Sequence, residues 1–185
     1  MRVNVEVLMG VPMARPRTVV RGNQTDSFED FFRREYRSVL GLAVALSGDR
    51  WAAEDLTQEA FTAAERKWTR IGSLDRPQAW VRRVVANKSV SRWRRQTAEA
   101  RALLRMPDQQ NPHPDPQLSV ETVEVWTVVR SLSKRQAQVL ALTYLEGLST
   151  NEVGEVLGCS AATVKTHLQR GRAALAERLG VKEER

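Results

Sequence analysis

Between Ser149 and Leu175 the chain reads STNEVGEVLGCSAATVKTHLQRGRAAL, and its second half sets Lys165, Thr166, Gln169 and Arg172 on one side of a helix. These residue types bring donors and acceptors suited to nucleic acid. A glutamine amide pairs with a base edge, and Lys and Arg pair with guanine or with phosphate. The apolar residues Val164, Leu168, Gly171 and Leu175 fall at offsets 0, 4, 7 and 11. At about 100° per residue they form one narrow stripe on the opposite side. Ahead of this helix, Ser149 and Glu152 form an S-x-x-E capping box, and Val153, Val156 and Leu157 supply a short apolar face. Gly158 gives the turn and Ser160 the next N-cap. The spacing predicts a helix-turn-helix. An ordinary helical hairpin with a solvated charged face satisfies the same pattern.

A second set of candidates lies upstream. Residues 66–95 carry ten Lys or Arg against a single acid, Asp75, interleaved with Trp68, Trp80 and Trp93. Cations beside aromatic faces suit unpaired bases; packing in a core is the competing use of the tryptophans. Residues 26–65 are the reverse, nine acids against four arginines, which points to a different partner on a different face. The formal net charge of +7 favours a polyanionic ligand.

Catalysis finds no support. The two histidines, His113 and His167, have no neighbouring Cys, Asp or Glu at nucleophile–base or metal-ligand spacing. Asp55 and Glu59 share a face at i, i+4 but lack a third ligand, and no glycine-rich phosphate loop is present. No metal, cofactor or enzymatic activity is expected. The single cysteine, Cys159, excludes a disulfide within the chain. No apolar run approaches the roughly 20 residues needed to cross a bilayer, so no membrane insertion and a cytoplasmic location are expected.

The elements that must position these residues are all helical. Residues 1–25 read as a flexible arm. The first domain, 26–97, opens at Ser27 with Asp30, and Phe28, Phe32, Val39 and Leu46 line its first helix up to Ser47-Gly48. Asp49 caps a second helix, with Leu56, Ala60 and Ala63 inward, that fades after Trp68. A turn at 71–76 precedes a third helix from Pro77 to about Arg95. Residues 98–118 hold the prolines of MPDQQNPHPDPQL and read as a tether. The second domain, 119–180, has one helix around Val125–Leu132, another capped by Ser133 and Gln136, and then the helix-turn-helix. The fold class is therefore all-α: two small helical domains joined by a Pro-rich linker, the second ending in a helix-turn-helix.

In this order the pieces resemble a known family. AEDLTQEAFTAAERKW (53–68) is similar to the polymerase-binding helix of bacterial RNA polymerase sigma factors, and RPQAWVRRVVANKSVSRWRR (76–95) to their −10-recognition helix. SLSKRQAQVLALTYLEGLSTNEVGEVLGCSAATVKTHLQRGRAAL (131–175) resembles their −35-binding domain. Small size and a bare linker match the extracytoplasmic-function group of the sigma-70-like family.

The resemblance implies a specificity subunit that binds the RNA polymerase core (beta and beta-prime subunits), recognises two boxes of promoter DNA and opens the duplex, with an anti-sigma factor as a conceivable further partner. It assigns Asp55, Gln58 and Glu59 to polymerase. The −10 element falls to Trp68, Ile71, Ser73, Leu74, Arg76, Arg82, Arg83, Asn87, Lys88, Arg92, Arg94 and Arg95, with Asn87 the residue suited to a base edge. The −35 element falls to Lys165, Thr166, Gln169, Arg170 and Arg172. Lys88 and Gly154 depart from the pattern, standing where a larger apolar residue and an alanine are usual. Gly154 is expected to weaken its helix by about 1 kcal/mol while leaving packing intact. The rival is a stand-alone regulator of the LuxR type, which shares the T-V-K-x-H-L run at 163–168 but carries a further domain with strands.

Overall fold

The computed structural model describes residues 27–102 and 120–180, with side chains for 27–89, 91 and 123–180. All regular elements among them are helices. Helix α1 (Phe28–Ser47) starts where the Ser27 hydroxyl accepts the Asp30 amide at 3.2 Å, and stops at Gly48, whose φ of 77° turns the chain out of the helix. Its buried stripe is Phe31, Val39, Leu42 and Leu46. Phe28 and Phe32, expected on that stripe, are instead half-buried at its margin, in an aromatic cluster with Tyr36, Phe61 and Trp68. A full ring tolerates the margin because neighbouring edges cover it.

Helix α2 (Arg50–Glu65) is capped by the Asp49 carboxylate, which accepts the Ala52 amide at 2.7 Å. It presents Ala53, Leu56, Ala60, Phe61 and Ala64 to the core. It ends before Trp68, which opens a separate single turn, α3 (Trp68–Ile71). Helix α4 (Pro77–Ala102) continues beyond Arg95 into the stretch expected to be linker. The sequence TAEARA is a good helix former, which explains the extension. The expected arm at 1–25 lies outside the described residues, as do the linker prolines.

The second domain comprises α5 (Val120–Ser131), α6 (Lys134–Tyr144), α7 (Thr150–Leu157) and α8 (Ala161–Arg178). Ser133 and Gln136 form a reciprocal capping box at α6, and Gly147 has φ 64° between α6 and α7. Within each domain the helices pack closely, α1 on α2 and α4, and α6 and α7 on α8. The domains also pack on each other, through α1 against α5 and α6, and α4 against α6 and α7. One continuous apolar cluster runs from Phe31 and Phe61 through Val85 and Trp126 to Leu140 and Leu175. Burying each such leucine or phenylalanine is worth about 1.5–3 kcal/mol. The stretch 98–118 was read only as a tether; the two domains it joins are docked.

Candidate nucleic-acid interface

The helix-turn-helix is built by local hydrogen bonds that its sequence specifies. The Ser149 hydroxyl accepts the Glu152 amide at 3.4 Å and the Ser149 amide donates to Glu152 Oε2 at 2.9 Å. Burial pushes the Glu152 carboxyl up, but the Ser149 hydroxyl, the Ser149 amide and the charge of Arg76 outweigh it and hold the group below its ordinary value. Gly158 closes α7 with φ 68°. The Ser160 hydroxyl accepts the Thr163 amide at 3.1 Å to start α8. Gly154 does more than lower helix propensity. A Cβ there would stand 2.6 Å from the Cys159 carbonyl oxygen, so the chain can fold back this tightly only over a glycine.

On α8, Val164, Leu168, Gly171 and Leu175 are buried, and Gly171 lets Leu140 of α6 approach closely. Lys165, Thr166, Gln169, Arg170 and Arg172 are all exposed on the outer side. The Arg172 guanidinium lies over the Tyr144 ring, 5.5 Å from its centroid, and its Nε donates to the Tyr144 hydroxyl at 2.5 Å. It is thereby oriented before any ligand arrives.

In the first domain Asp55, Gln58 and Glu59 are exposed on α2. Ser73 and Leu74 are also exposed, Leu74 at 43%. Ile71 is 3% exposed, and the Trp68 ring packs 4.8 Å from Phe31 and 5.4 Å from Phe28. Lys88 reaches Glu59 at 3.0 Å. The Arg92, Arg94 and Arg95 side chains lie outside the described residues.

Arg82, Arg83 and Asn87 of α4, with Arg76 just before it, turn towards the second domain. Arg82 Nε donates to Glu146 Oε2 at 2.6 Å and its Nη1 to Glu35 Oε2 at 3.0 Å. Burial works against the Arg82 charge, but Glu146 and Glu35 more than offset this and raise its pKa above the ordinary value. Arg83 donates to the Val156 carbonyl at 2.6 Å and to that of Glu155. Arg76 pairs with Glu155 at 2.7 Å, and Asn87 Oδ1 accepts from Gln138 Nε2 at 2.9 Å. From the other side, the buried Arg130 donates to the Ala45 carbonyl at 3.0 Å. With no carboxylate against it among the described residues, desolvation pushes the Arg130 pKa down to about 10.

Comparison with known proteins decides the family. Residues 31–99 match the description Sigma-70 region 2, and residues 122–175 match Sigma-70, region 4. The RNA polymerase sigma-E factor of Streptomyces avermitilis is 32% identical over 156 residues, covering 82% of this chain and 84% of that protein. The chain belongs to the extracytoplasmic-function sigma factors. SigW of Bacillus subtilis, named an ECF RNA polymerase sigma factor, is 28% identical over 181 residues, covering 89% of this chain and 95% of its own. RpoE of Bartonella quintana, solved in complex with the anti-sigma factor NepR, shares the fold. Its TM-score is 0.63 at 23% identity, with 84% of this chain and 98% of that one covered.

Sigma factors are initiation factors, not enzymes, and region 2 removes the LuxR-type alternative. Three residues that the resemblance gives to the −10 element are engaged within this sigma factor. Ile71 is a core residue, its side chain folded inward by the single turn α3. Trp68 packs edge-on against Phe28 and at a tilt of 38° against Phe31, within the aromatic cluster. Arg82 is 6% exposed at its side chain and already paired with Glu35 and Glu146. Sequence reasoning also passed over Trp51. It is 67% exposed, four residues before Asp55 and on the same face of α2. The signal was there in the i, i+4 and i, i+7 spacing to Asp55 and Gln58.

Proposed function

We propose that this sigma factor directs core RNA polymerase to promoters by dividing the work between its domains. The exposed α2 face, with Trp51, Asp55, Gln58 and Glu59, binds the polymerase core. The outer side of α8, with Lys165, Thr166, Gln169, Arg170 and Arg172, reads the −35 duplex from the major groove. The exposed loop around Ser73 and Leu74 and the basic helix α4 take the −10 strand once it is unpaired, and holding a flipped base there promotes melting. The protein acts where polymerase and chromosome are, in the cytoplasm.

The observation that carries this reading is the clean division of α8, whose apolar stripe is fully engaged by α6 and α7 while its polar side is left to solvent. A single recognition helix on one small domain buries little surface against DNA. Protein alone is therefore expected to bind promoter duplex weakly, and specific open complexes are expected only with polymerase. Run-off transcription from genomic fragments with core polymerase, with and without this protein, is the test, alongside gel shifts of protein alone. Tight binding to a palindrome without polymerase, and no stimulated transcript, would overturn the reading.

A further inference from the structure

The contact between the domains is selective in what it covers. Arg76, Arg82, Arg83 and Asn87, all placed on the −10 face by the reading above, meet the second domain through their side chains, beside the Ala86 carbonyl and the Ser91 hydroxyl, which accept from Gln138 and Lys134. For the three arginines the second domain supplies acceptors: the Glu146 and Glu155 carboxylates and the carbonyls of Val156 and Glu155. These are the groups that phosphate oxygens would replace. The −35 side of α8 is left uncovered by the same contact.

Glu146 is the centre of this contact. Its side chain is 3% exposed, and its two oxygens accept from the Ser38 hydroxyl at 2.8 and 2.6 Å as well as from Arg82. Arg82 Nη2 in turn donates to Ser38 at 3.2 Å. Glu35 and Glu146 share the Arg82 guanidinium, and Glu35 also accepts from the half-exposed Arg34 Nε at 3.2 Å, so the charges of the set balance. A buried network of ion pairs recovers little net free energy from its desolvation. It specifies a docked geometry without making that geometry costly to leave. Departure of the second domain would leave Arg82 with Glu35, which Arg34 also contacts, and so free Arg82 for an added anion.

We propose that Glu146 is an intramolecular latch: it occupies Arg82 in place of DNA phosphate and holds the sigma factor in a closed form. In that form single-stranded −10 DNA is withheld while −35 duplex remains accessible. The proposal rests on the assignment of α4 to the −10 strand, and the experiment separates the two. Paired spin labels at Glu65→Cys and Glu177→Cys, exposed sites in the two domains, report their separation in a Cys159→Ser background. The same full-length protein is titrated with a −10 single-stranded oligonucleotide and, separately, with a −35 duplex.

Glu146→Gln keeps the size of the side chain and removes its charge. It should add a population at longer distance and raise single-strand affinity by about threefold or more, with −35 duplex affinity unchanged. Ser38→Ala, which removes the latch's hydroxyl from the opposite domain, should act in the same direction and covers the case in which Glu146→Gln fails to fold. Unchanged distances in the folded variants would overturn the latch. Longer distances with no gain in single-strand affinity would instead overturn the withholding, and with it the assignment of Arg82 to the −10 strand.

Discussion

Lys88 Nζ lies 3.0 Å from Glu59 Oε1, so a residue assigned to the −10 strand and one assigned to polymerase neutralise each other across α2 and α4. Both side chains are about half exposed, and such pairs contribute about 0–1 kcal/mol. Glu59→Lys should therefore leave the melting temperature nearly unchanged. Combined with Asp55→Lys, it should weaken capture of core polymerase while the isolated −35 duplex affinity stays the same. Pull-down with core enzyme and a thermal melt check this together; wild-type capture by the double variant would return the α2 face to plain solvated surface.

Trp51 extends the same face. Exposed tryptophans at interface centres are the side chains whose truncation costs most, about 2 kcal/mol or more. Trp51→Ala should lower polymerase affinity by at least tenfold with no loss of folded stability, since the ring packs against little of its own domain. Equal affinity by titration calorimetry would remove Trp51 from the interface.

On α8, Lys165→Ala, Gln169→Ala and Arg172→Ala should each weaken −35 duplex binding without changing helical content. A base contact costs about 1–3 kcal/mol and relaxes specificity at its position. A phosphate contact lowers affinity evenly and flattens the salt slope. Tyr144→Phe removes the hydroxyl that orients Arg172 and should reproduce part of the Arg172→Ala loss. Salt-dependent binding isotherms on matched and mismatched duplexes distinguish these outcomes.

Gly154→Ala would gain about 1 kcal/mol in an open helix. Here the added Cβ meets the Cys159 carbonyl oxygen at 2.6 Å, backbone that cannot swing aside. The substitution should destabilise the protein and lower −35 affinity by tilting α8 against α7. A raised melting temperature would show that the turn relaxes freely.

Glu152 carries a pH dependence of defined sign. Its carboxyl is held below the ordinary value in the folded protein, so its contribution is present above the unfolded-state pKa and is lost as pH falls through the folded one. Glu152→Gln keeps a capping side chain without the charge. Denaturation across the acidic range should show a shallower loss of stability for the variant than for wild type; parallel curves would remove Glu152 as a source.

The local devices of this fold were legible because they are local. Ser149 with Glu152, Ser133 with Gln136, Asp49 and Gly158 act within a few residues of themselves, and the stripe Val164–Leu175 follows from helical period alone. The packing of Ile71 and Trp68 was not legible, because basic neighbours say nothing about which way a single turn folds its apolar side chains. The docking of the domains was hidden for a different reason. Glu146 was one more acid beside Gly147, and its partners Ser38 and Arg82 are 108 and 64 residues away. Pairing at that distance is a property of the assembled surface and leaves no period or motif behind.

The sequence separations of that buried triad also set a schedule. Glu35 and Arg82 are 47 residues apart, and Glu146 follows Arg82 by a further 64. At about 5–20 residues per second, a ribosome takes about 3–13 s to go from one to the other, and amino-terminal domains fold first. During synthesis Arg82 meets Glu35 well before Glu146 exists. Every molecule of this protein is thus born unlatched, and acquires its restraint only when its last third is complete.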